Sequence, residues 1–430
     1  MKRIIITTLI ALCAAPAAWA QTKLTFDGAL RRALEVNNTV ETAREDVAVA
    51  QENRNLLVSA VMPRISVTGD LTRNSLEQTF GGEGEDSVTI LPRNDWAYRI
   101  TLSQPVFAGR RELRAYSQSK ILIENAREST VAAEDTVLLR VASNYLAVLN
   151  ADRRVEVERR NIELAERRLA QAKAFYEAGE VTKVDVFRAE TAMKAAQRLL
   201  AVAAQTREHA AAQLRIDLDL DGAVEVEQPQ RALPPLPSEE ALIARATEAR
   251  SDVDIAENNV RIAELEVSKQ RGFWLPTVTF DGGWVHQKTP FPADRYSFGA
   301  LRFNVPVFQA GEVFARVAAA KHRQKQAELA LDESTLAARE DVRRALADLR
   351  AAETGLGLAN EQLTAAQAEY EQAFELYRAQ EATSLDVAAS EASLADARRA
   401  VAEETLNREL AELRVWYAAG GIQEATGVNR

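Results

Sequence analysis

The sequence predicts a mainly α chain with a β-barrel portion, made of two internal repeats and completed only when copies assemble. Three observations carry this: a twofold repeat, segments of strand period inside each repeat, and long heptad helices, the first of them free of Gly and Pro from 110 to 178. The composition of the 430 residues agrees, with 47% hydrophobic residues but only 6% aromatics. Chains rich in Ala, Leu, Glu and Arg build long helices that seal against one another with small side chains. With 63 Asp+Glu against 53 Lys+Arg the chain is acidic, so it lacks the basic footprint of a nucleic-acid binder.

Residues 1–20 read as a signal peptide. Lys2 and Arg3 form a charged start, Ile4 to Ala15 an apolar stretch and Ala18-Trp19-Ala20 a cleavage site. Its loss takes two cations and no acids, moving the formal net charge from −10 to −12. Cys13, the sole cysteine, leaves with it. Leu12 is too large for the residue before a lipidation cysteine, so the mature chain is expected not to be lipidated and to have no thiol chemistry. Farther on, no apolar run approaches the ~18–20 residues of a membrane-spanning helix. Passage through a membrane would have to be by strands.

The repeat organises the rest. Tyr176 to Val186 aligns with Tyr377 to Val387 at a shift of 201, and Pro105-Val106-Phe107 aligns with Pro306-Val307-Phe308 at the same shift. Upstream, Met62-Pro63 matches Leu275-Pro276 at a shift of 213, so the second copy is shorter between its two prolines. The first repeat covers 21–227, with a β-hairpin at about 64–104 and long helices over about 110–216. A Pro-rich linker, 228–237, leads to the second repeat at 238–420, with a hairpin at about 277–305 and helices over about 311–419. Residues 421–430 are left as a tail.

In each hairpin apolar and polar residues alternate. Ile65, Val67, Gly69 and Leu71 are answered on the return by Trp96, Tyr98, Ile100 and Leu102; the second copy has Val278, Phe280, Gly282 and Trp284, then Leu301, Phe303 and Val305. Such ten-residue segments suit strands with one face in lipid and one on an aqueous lumen, although surface hairpins of a soluble protein have the same period. The helices favour the first reading. Val155, Glu158, Ile162, Ala165, Leu169, Ala172 and Tyr176 form a heptad seam, repeated by Leu356, Ala359, Leu363, Ala366, Tyr370, Ala373 and Tyr377. The stretch 110–178 makes a rod of roughly 100 Å at 1.5 Å per residue. Four strands cannot close a barrel in lipid, where every edge must be paired. Eight leave an interior that side chains fill, so a conducting pore asks for twelve strands and three chains.

These features resemble the TolC-type outer-membrane efflux proteins across nearly the whole mature chain. The resemblance is carried by the repeat, by the junctions Pro105 to Gly109 and Pro306 to Gly311, and by the turn from Tyr176 through Gly179, Thr182 and Asp185 to Val186. In the second turn Gln380 replaces the glycine. The resemblance implies a homotrimer in the outer membrane of a Gram-negative bacterium, surrounded by outer-membrane lipid and with a large periplasmic part. It further implies a passive exit duct without cofactors that docks on a periplasmic adaptor and an inner-membrane pump, proton-driven or ATP-driven. Tripartite efflux and type I secretion are both compatible with it.

The helix-turn-helix tips are the candidate sites. Asp185 and Asp386 follow each turn, where a carboxylate caps a helix. Threefold symmetry would also make each a cation-attracting ring. By resemblance, Tyr377 takes the tyrosine position of a periplasmic gate with Asp185 and Asp386 as its acids, and Tyr176 is its repeat partner. Ala382 and Ala389 stand where relatives place an arginine and a further acid. An adaptor hairpin is expected at Gly179, Val181, Thr182, Gln380, Ala382 and Thr383, with Gly179 equally explained as a left-handed turn. Pro63, Pro105, Gly109, Pro276, Pro306 and Gly311 are the strand–helix junctions. Trp96, Tyr98 and Trp284 are membrane-interface anchors or buried hairpin aromatics, and Asn74 to Asn94 reads as a flexible acidic loop. An enzyme is excluded by the scatter of His209, His286 and His322 and by the lack of nucleophile or phosphate-loop motifs. No metal site is expected. The rival reading is a soluble periplasmic coiled-coil adaptor or scaffold.

Overall fold

The computed structural model describes residues 22–81, 88–229, 233–290 and 293–428. The signal segment 1–20, Gly82 to Asp86 of the acidic loop, and Gln230 to Ala232 of the linker lie outside these residues. The elements are β1 (Thr22–Leu24), α1 (Phe26–Val36), α2 (Asn38–Ser59), β2 (Arg64–Arg73), β3 (Gln78–Phe80), β4 (Val88–Leu91), β5 (Asn94–Ala108), α3 (Arg111–Glu177), α4 (Lys183–Leu218), β6 (Val224–Val226), α5 (Glu239–Ala249) and α6 (Ser251–Arg271). A 3-10 turn at Gly272–Trp274 leads to β7 (Thr277–Gln287), β8 (Arg295–Asn304), α7 (Glu312–Arg378), α8 (Ser384–Ala418) and α9 (Ile422–Thr426). Among the described residues no helix is long and apolar enough to cross a membrane.

The chain divides into two compact units that cut across the repeats, each unit drawing on both. Unit one takes the segment through Val40, Glu134–Ile243 and the chain from Asp341 onward; unit two takes Glu41–Ala133 and Ala244–Glu340.

Unit one is helical. Its core gathers Leu30, Val137, Leu138, Val141, Tyr145, Leu214, Leu218, Leu413 and Ile422. Tyr145 holds the short parallel pair β1–β6 on this core: its hydroxyl reaches the carbonyl oxygens of Leu24 at 2.8 Å and Glu227 at 2.5 Å. Burial pushes its phenol up to about 12, so the bond donor persists across the physiological range. The segment expected as a tail instead docks: Ile422, Ala425 and Thr426 of α9 are buried, and Gln423 Nε2 donates to Asp135 Oδ1 at 2.7 Å. Ile422 and Ala425 share one helical face, and the left-handed Gly427 turns Val428 back to bury beside them, which explains the docking.

The long helices of unit one lie side by side. Arg207 on α4 pairs with Asp152 on α3 at 3.1 Å, and Arg399 on α8 pairs with Glu158 on α3 at 3.1 Å. Leu164 of α3, Ala366 of α7, and Leu394 and Ala397 of α8 share a core with Leu363 and Tyr370. On α7 and α8 the buried stripe follows the expected heptads, including Ala359, Ala366, Tyr377, Val387, Ser390, Leu394 and Ala397. On α3 it is kept at Glu158, Ala165 and Ala172 and shifts by one residue at the positions between them. Glu158, Asn161, Ala165, Arg168 and Ala172 are buried, while Ile162 and Leu169 are half-buried and Tyr176 is 45% exposed. The polar members are accepted there because α8 supplies their partners, Arg399, Arg398 and Glu391.

Unit two holds the four-stranded antiparallel sheet, in the order β2-β5-β7-β8. The two hairpins are neighbours, and β2 and β8 are its open edges. The register sets Val67 opposite Ile100 and Ile100 opposite Trp284, then Phe280 opposite Leu301 and Val278 opposite Phe303, so these apolar side chains share one face. Ile65, Val67 and Leu71 on it are 72%, 71% and 87% exposed. On the other face Arg99 pairs with Asp70, and Asp281 pairs with Arg302 at 2.9 Å and accepts from Ser103 at 2.8 Å. A bulge between Pro105 and Phe107 answers the missing proline N–H. Within the segment expected as a flexible loop, β3 and β4 pair, and Asn74 Nδ2 donates to the Pro92 carbonyl at 2.8 Å.

Candidate functional site

Both helix-turn-helix tips lie in unit one, and each is built from a helix end, a left-handed residue and a capping box. In the first, Glu180 N–H donates to Phe175 O at 2.9 Å and Gly179 N–H to Tyr176 O at 3.0 Å, with Gly179 at φ +78°. In the second, Glu381 donates to Leu376 O at 2.8 Å and Gln380 to Tyr377 O at 3.1 Å, with Gln380 at φ +63°. Both are Schellman turns, which occupy helix carbonyls that would otherwise lack partners. Gln380 thus takes the left-handed backbone of the glycine it replaces.

The next helix of each tip starts at a threonine. Asp185 Oδ2 accepts from Thr182 N at 3.1 Å and Thr182 Oγ1 at 2.8 Å; Asp386 Oδ2 accepts from Thr383 N at 2.9 Å and Thr383 Oγ1 at 2.7 Å. Both acids therefore cap helices. Asp185 does more, because its Oδ1 also accepts from the Ser384 hydroxyl of the other tip and lies 3.5 Å from Arg188. That tip-to-tip bond, with the Thr182 bonds and Arg188, holds its carboxyl below the ordinary 3.8. Asp386 is fully exposed and is lowered by its Thr383 bonds alone.

Tyr377 is 6% exposed and its ring meets Phe175 at 5.6 Å between centroids. Burial first, and the Asp185 charge second, raise its phenol above 10.0. Tyr176, which the heptad reading placed on the packed seam beside it, is instead 45% exposed, because Phe175 takes the packing position. Gly179, Thr182, Gln380 and Thr383 are exposed, and Val181 and Ala382 half-buried. No atom lies within 4 Å of a Cβ placed on Gly179.

One residue escaped the sequence reading. Arg168, 6% exposed, bonds Glu391 Oε2 at 3.1 Å and the Ser384 carbonyl at 3.1 Å. It thus joins α3 to the start of α8 directly beneath the Asp185–Ser384 bond. Its only signal in the sequence is its spacing, three after Ala165 and four before Ala172. Burial outweighs Arg168 at Glu391 and raises that carboxyl above 4.5. Among the described residues no group of three or more His, Cys, Asp or Glu could hold a metal.

At the junctions the backbone turns left-handed twice in succession, at Gly109 (φ +69°) and Arg110 (+60°), and at Ala310 (+46°) and Gly311 (+85°). The bend is the same in both copies, but its glycine comes first in one and second in the other. Trp96, Tyr98, Trp284 and His286 cluster on the sheet's apolar face, with Trp96 and His286 centroids 4.8 Å apart.

A sheet with one exposed apolar face and two open edges, joined to 67-residue helices, defines a barrel-contributing membrane channel chain. The outer membrane efflux protein family model matches residues 29–216 and 242–421, and the chain belongs to that family. The outer membrane efflux protein BepC of Brucella suis is 22% identical over 409 residues, 94% of this chain and 85% of that protein. The pyoverdine export outer membrane protein OpmQ of Pseudomonas aeruginosa is 23% identical over 404 residues, 92% of this chain and 85% of that protein. Among solved structures, the channel protein CusC superposes with a TM-score of 0.78 at 17% identity, over 95% of this chain and 96% of that one, which shows the shared fold. The protein is an outer-membrane efflux duct with a large periplasmic portion, a transport protein and not an enzyme.

Proposed function

We propose that three copies complete a twelve-stranded barrel and that the duct works in a tripartite system, receiving substrate from a periplasmic adaptor and an inner-membrane pump. The observation that carries this is the open-edged sheet: among the described residues the outer edges of β2 and β8 pair with no further strand, and its apolar face is exposed. Lipid does not tolerate unpaired strand edges. The tips then form the periplasmic mouth, with Asp185, Asp386 and Tyr377 as the gate and Gly179, Val181, Thr182, Gln380, Ala382 and Thr383 as the adaptor surface. Tyr176, exposed beside them, joins that gate as the repeat counterpart of Tyr377. The export named for OpmQ favours small molecules over type I protein secretion.

Because Cys13 is the only cysteine and lies in the signal segment, cysteines placed on β2 and β8 can be cross-linked without background. A ladder ending at three chains in outer-membrane fractions is expected. A ladder ending at two, or recovery of monomer in a detergent-free soluble fraction, would overturn the proposal and favour the scaffold reading.

A further inference from the structure

We propose that the foot of the strands in unit two binds the phosphate of an acidic phospholipid, held by Arg111 and Arg316 about the ring of Phe273. The guanidinium carbons lie 4.3 and 4.8 Å from that ring's centroid. The two cations are therefore at most about 9 Å apart, within a Debye length at physiological salt. Glu312 compensates Arg316. For Arg111 the acceptor is the Ala108 carbonyl at 2.9 Å, and among the described residues no carboxylate pairs with it. A cation that satisfies a ring and a carbonyl still attracts an anion.

The surroundings select a lipid anion. Beside the ring, Leu57, Ala60, Arg111, Glu112, Lys269 and Phe273 border a cavity of about 320 Å³, with Lys269 paired to Glu266 at 2.7 Å, so Arg111 is the cation there that no carboxylate pairs with among the described residues. Trp274, 44% exposed, meets Phe314, 70% exposed, at 5.2 Å. Val307 and Phe308, after β8, are 91% and 87% exposed. Large exposed aromatics at the end of an apolar sheet face occupy the membrane–water boundary, where acyl chains meet headgroups. Charge there runs against the rest of the chain. Residues 60–66, 104–118, 266–276 and 305–318 hold seven Lys or Arg and three Glu, in a chain of net charge −10. A positive collar next to exposed aromatics is complementary to an acidic headgroup and would hold the strands at a fixed depth.

The inference rests on the apolar face lying in lipid, and the experiment separates the two. The full chain is reconstituted in nanodiscs of phosphatidylglycerol and phosphatidylcholine in equal parts, and lipids retained on release are counted by native mass spectrometry. The wild type is expected to retain phosphatidylglycerol selectively. Arg111→Gln with Arg316→Gln should weaken that retention about 30-fold, leaving phosphatidylcholine unaffected. Arg111→Lys with Arg316→Lys, which keeps the charge, should retain most of it and guards against a folding defect. Equal retention of both lipids by the wild type, or unchanged retention by the Gln variant, would overturn the site. So would displacement by inorganic phosphate, since the anion would then be free phosphate. Failure of the protein to enter nanodiscs at all would instead reject the membrane placement.

Discussion

Gly109 and Gly272, one from each repeat, are in such close contact that a Cβ on Gly109 would sit 2.3 Å from the Gly272 carbonyl oxygen. The reverse is also true: a Cβ on Gly272 would lie 2.5 Å from the Gly109 carbonyl oxygen. Neither neighbour is a flexible side chain. Gly109→Ala therefore adds a backbone collision to a left-handed φ of +69° and is expected to destabilise by about 3 kcal/mol or more. Gly311 has the same handedness, at φ +85°, but nothing within 4 Å of its Cβ, so Gly311→Ala should cost only about 1–2 kcal/mol. Thermal melting of the purified variants checks the order, and equal losses would refute the contact.

Gln380 supplies a complementary test in unit one. It holds φ +63° where the first tip has Gly179. Gln380→Gly is expected to stabilise by about 1 kcal/mol, through relief of left-handed strain offset by the entropy of a freer unfolded chain. Gly179→Gln should destabilise by a similar amount. Differential melting of the two variants measures both, and a destabilised Gln380→Gly would show that the glutamine is held by something other than backbone strain.

The buried pair at the tips gives a larger effect. Arg168→Ala leaves Glu391 buried without its cation and should cost about 3–5 kcal/mol, whereas Arg168→Met with Glu391→Gln should recover most of that loss. The pH dependences of the two tip carboxyls are opposite. Glu391 titrates above its ordinary 4.5, so its contribution is fully present below 4.5 and is lost as pH rises through the raised value. Asp185 titrates below 3.8, so its contribution is present above 3.8 and is lost as pH falls through the lowered value. Glu391→Gln should accordingly flatten the decline in stability on the alkaline side of 4.5 while leaving the loss at low pH in place. Melting curves across that range decide it.

The gate assignment predicts electrical behaviour. Ser384→Ala removes the hydroxyl that joins the tips at Asp185 but leaves both capping boxes. If the tips close the duct, planar-bilayer conductance should rise in Ser384→Ala and rise further in Asp185→Ala with Asp386→Ala, which should also lose cation preference. Unchanged currents in the double variant would remove both acids from the gate.

The strands and the long helices were legible in the sequence because each follows from a local period: Ile65, Val67 and Leu71 alternate, and Leu356 to Tyr377 keep a heptad. The capping roles of Asp185 and Asp386 were legible for the same reason, each lying three residues after a threonine. What the sequence hid are relations between distant segments. The packed stripe of α3 takes in polar residues off the heptad, since Arg168 and Asn161 look like solvated positions until Glu391 and Arg398 of α8 are placed beside them. Tyr176 reads as core in the sequence because one helix alone cannot say whether Phe175 or its neighbour meets Tyr377. The interleaving of the repeats into two units likewise depends on which hairpin sits beside which, and β5 beside β7 is a pairing across about 170–190 residues of sequence.

That pairing fixes the final prediction, which tests the two faces of the sheet. Val67 lies opposite Ile100, itself opposite Trp284, near the middle of the strands and on the apolar face. Thr68, the next residue, lies opposite Arg99 on the face that carries the Arg99–Asp70 pair. An arginine at 67 would have to leave water for hydrocarbon, at a cost of about 2–4 kcal/mol near the midplane. The same arginine at 68 would stay on a polar, hydrated surface where Asp70 offsets its repulsion from Arg99 opposite, so its cost should be about 1 kcal/mol or less. Val67→Arg is thus expected to lower the yield of heat-resistant assembled protein in outer-membrane fractions, and Thr68→Arg to leave yield intact while altering conductance. Equal tolerance at both positions would mean that neither face of the sheet meets lipid, and the soluble scaffold reading would take its place.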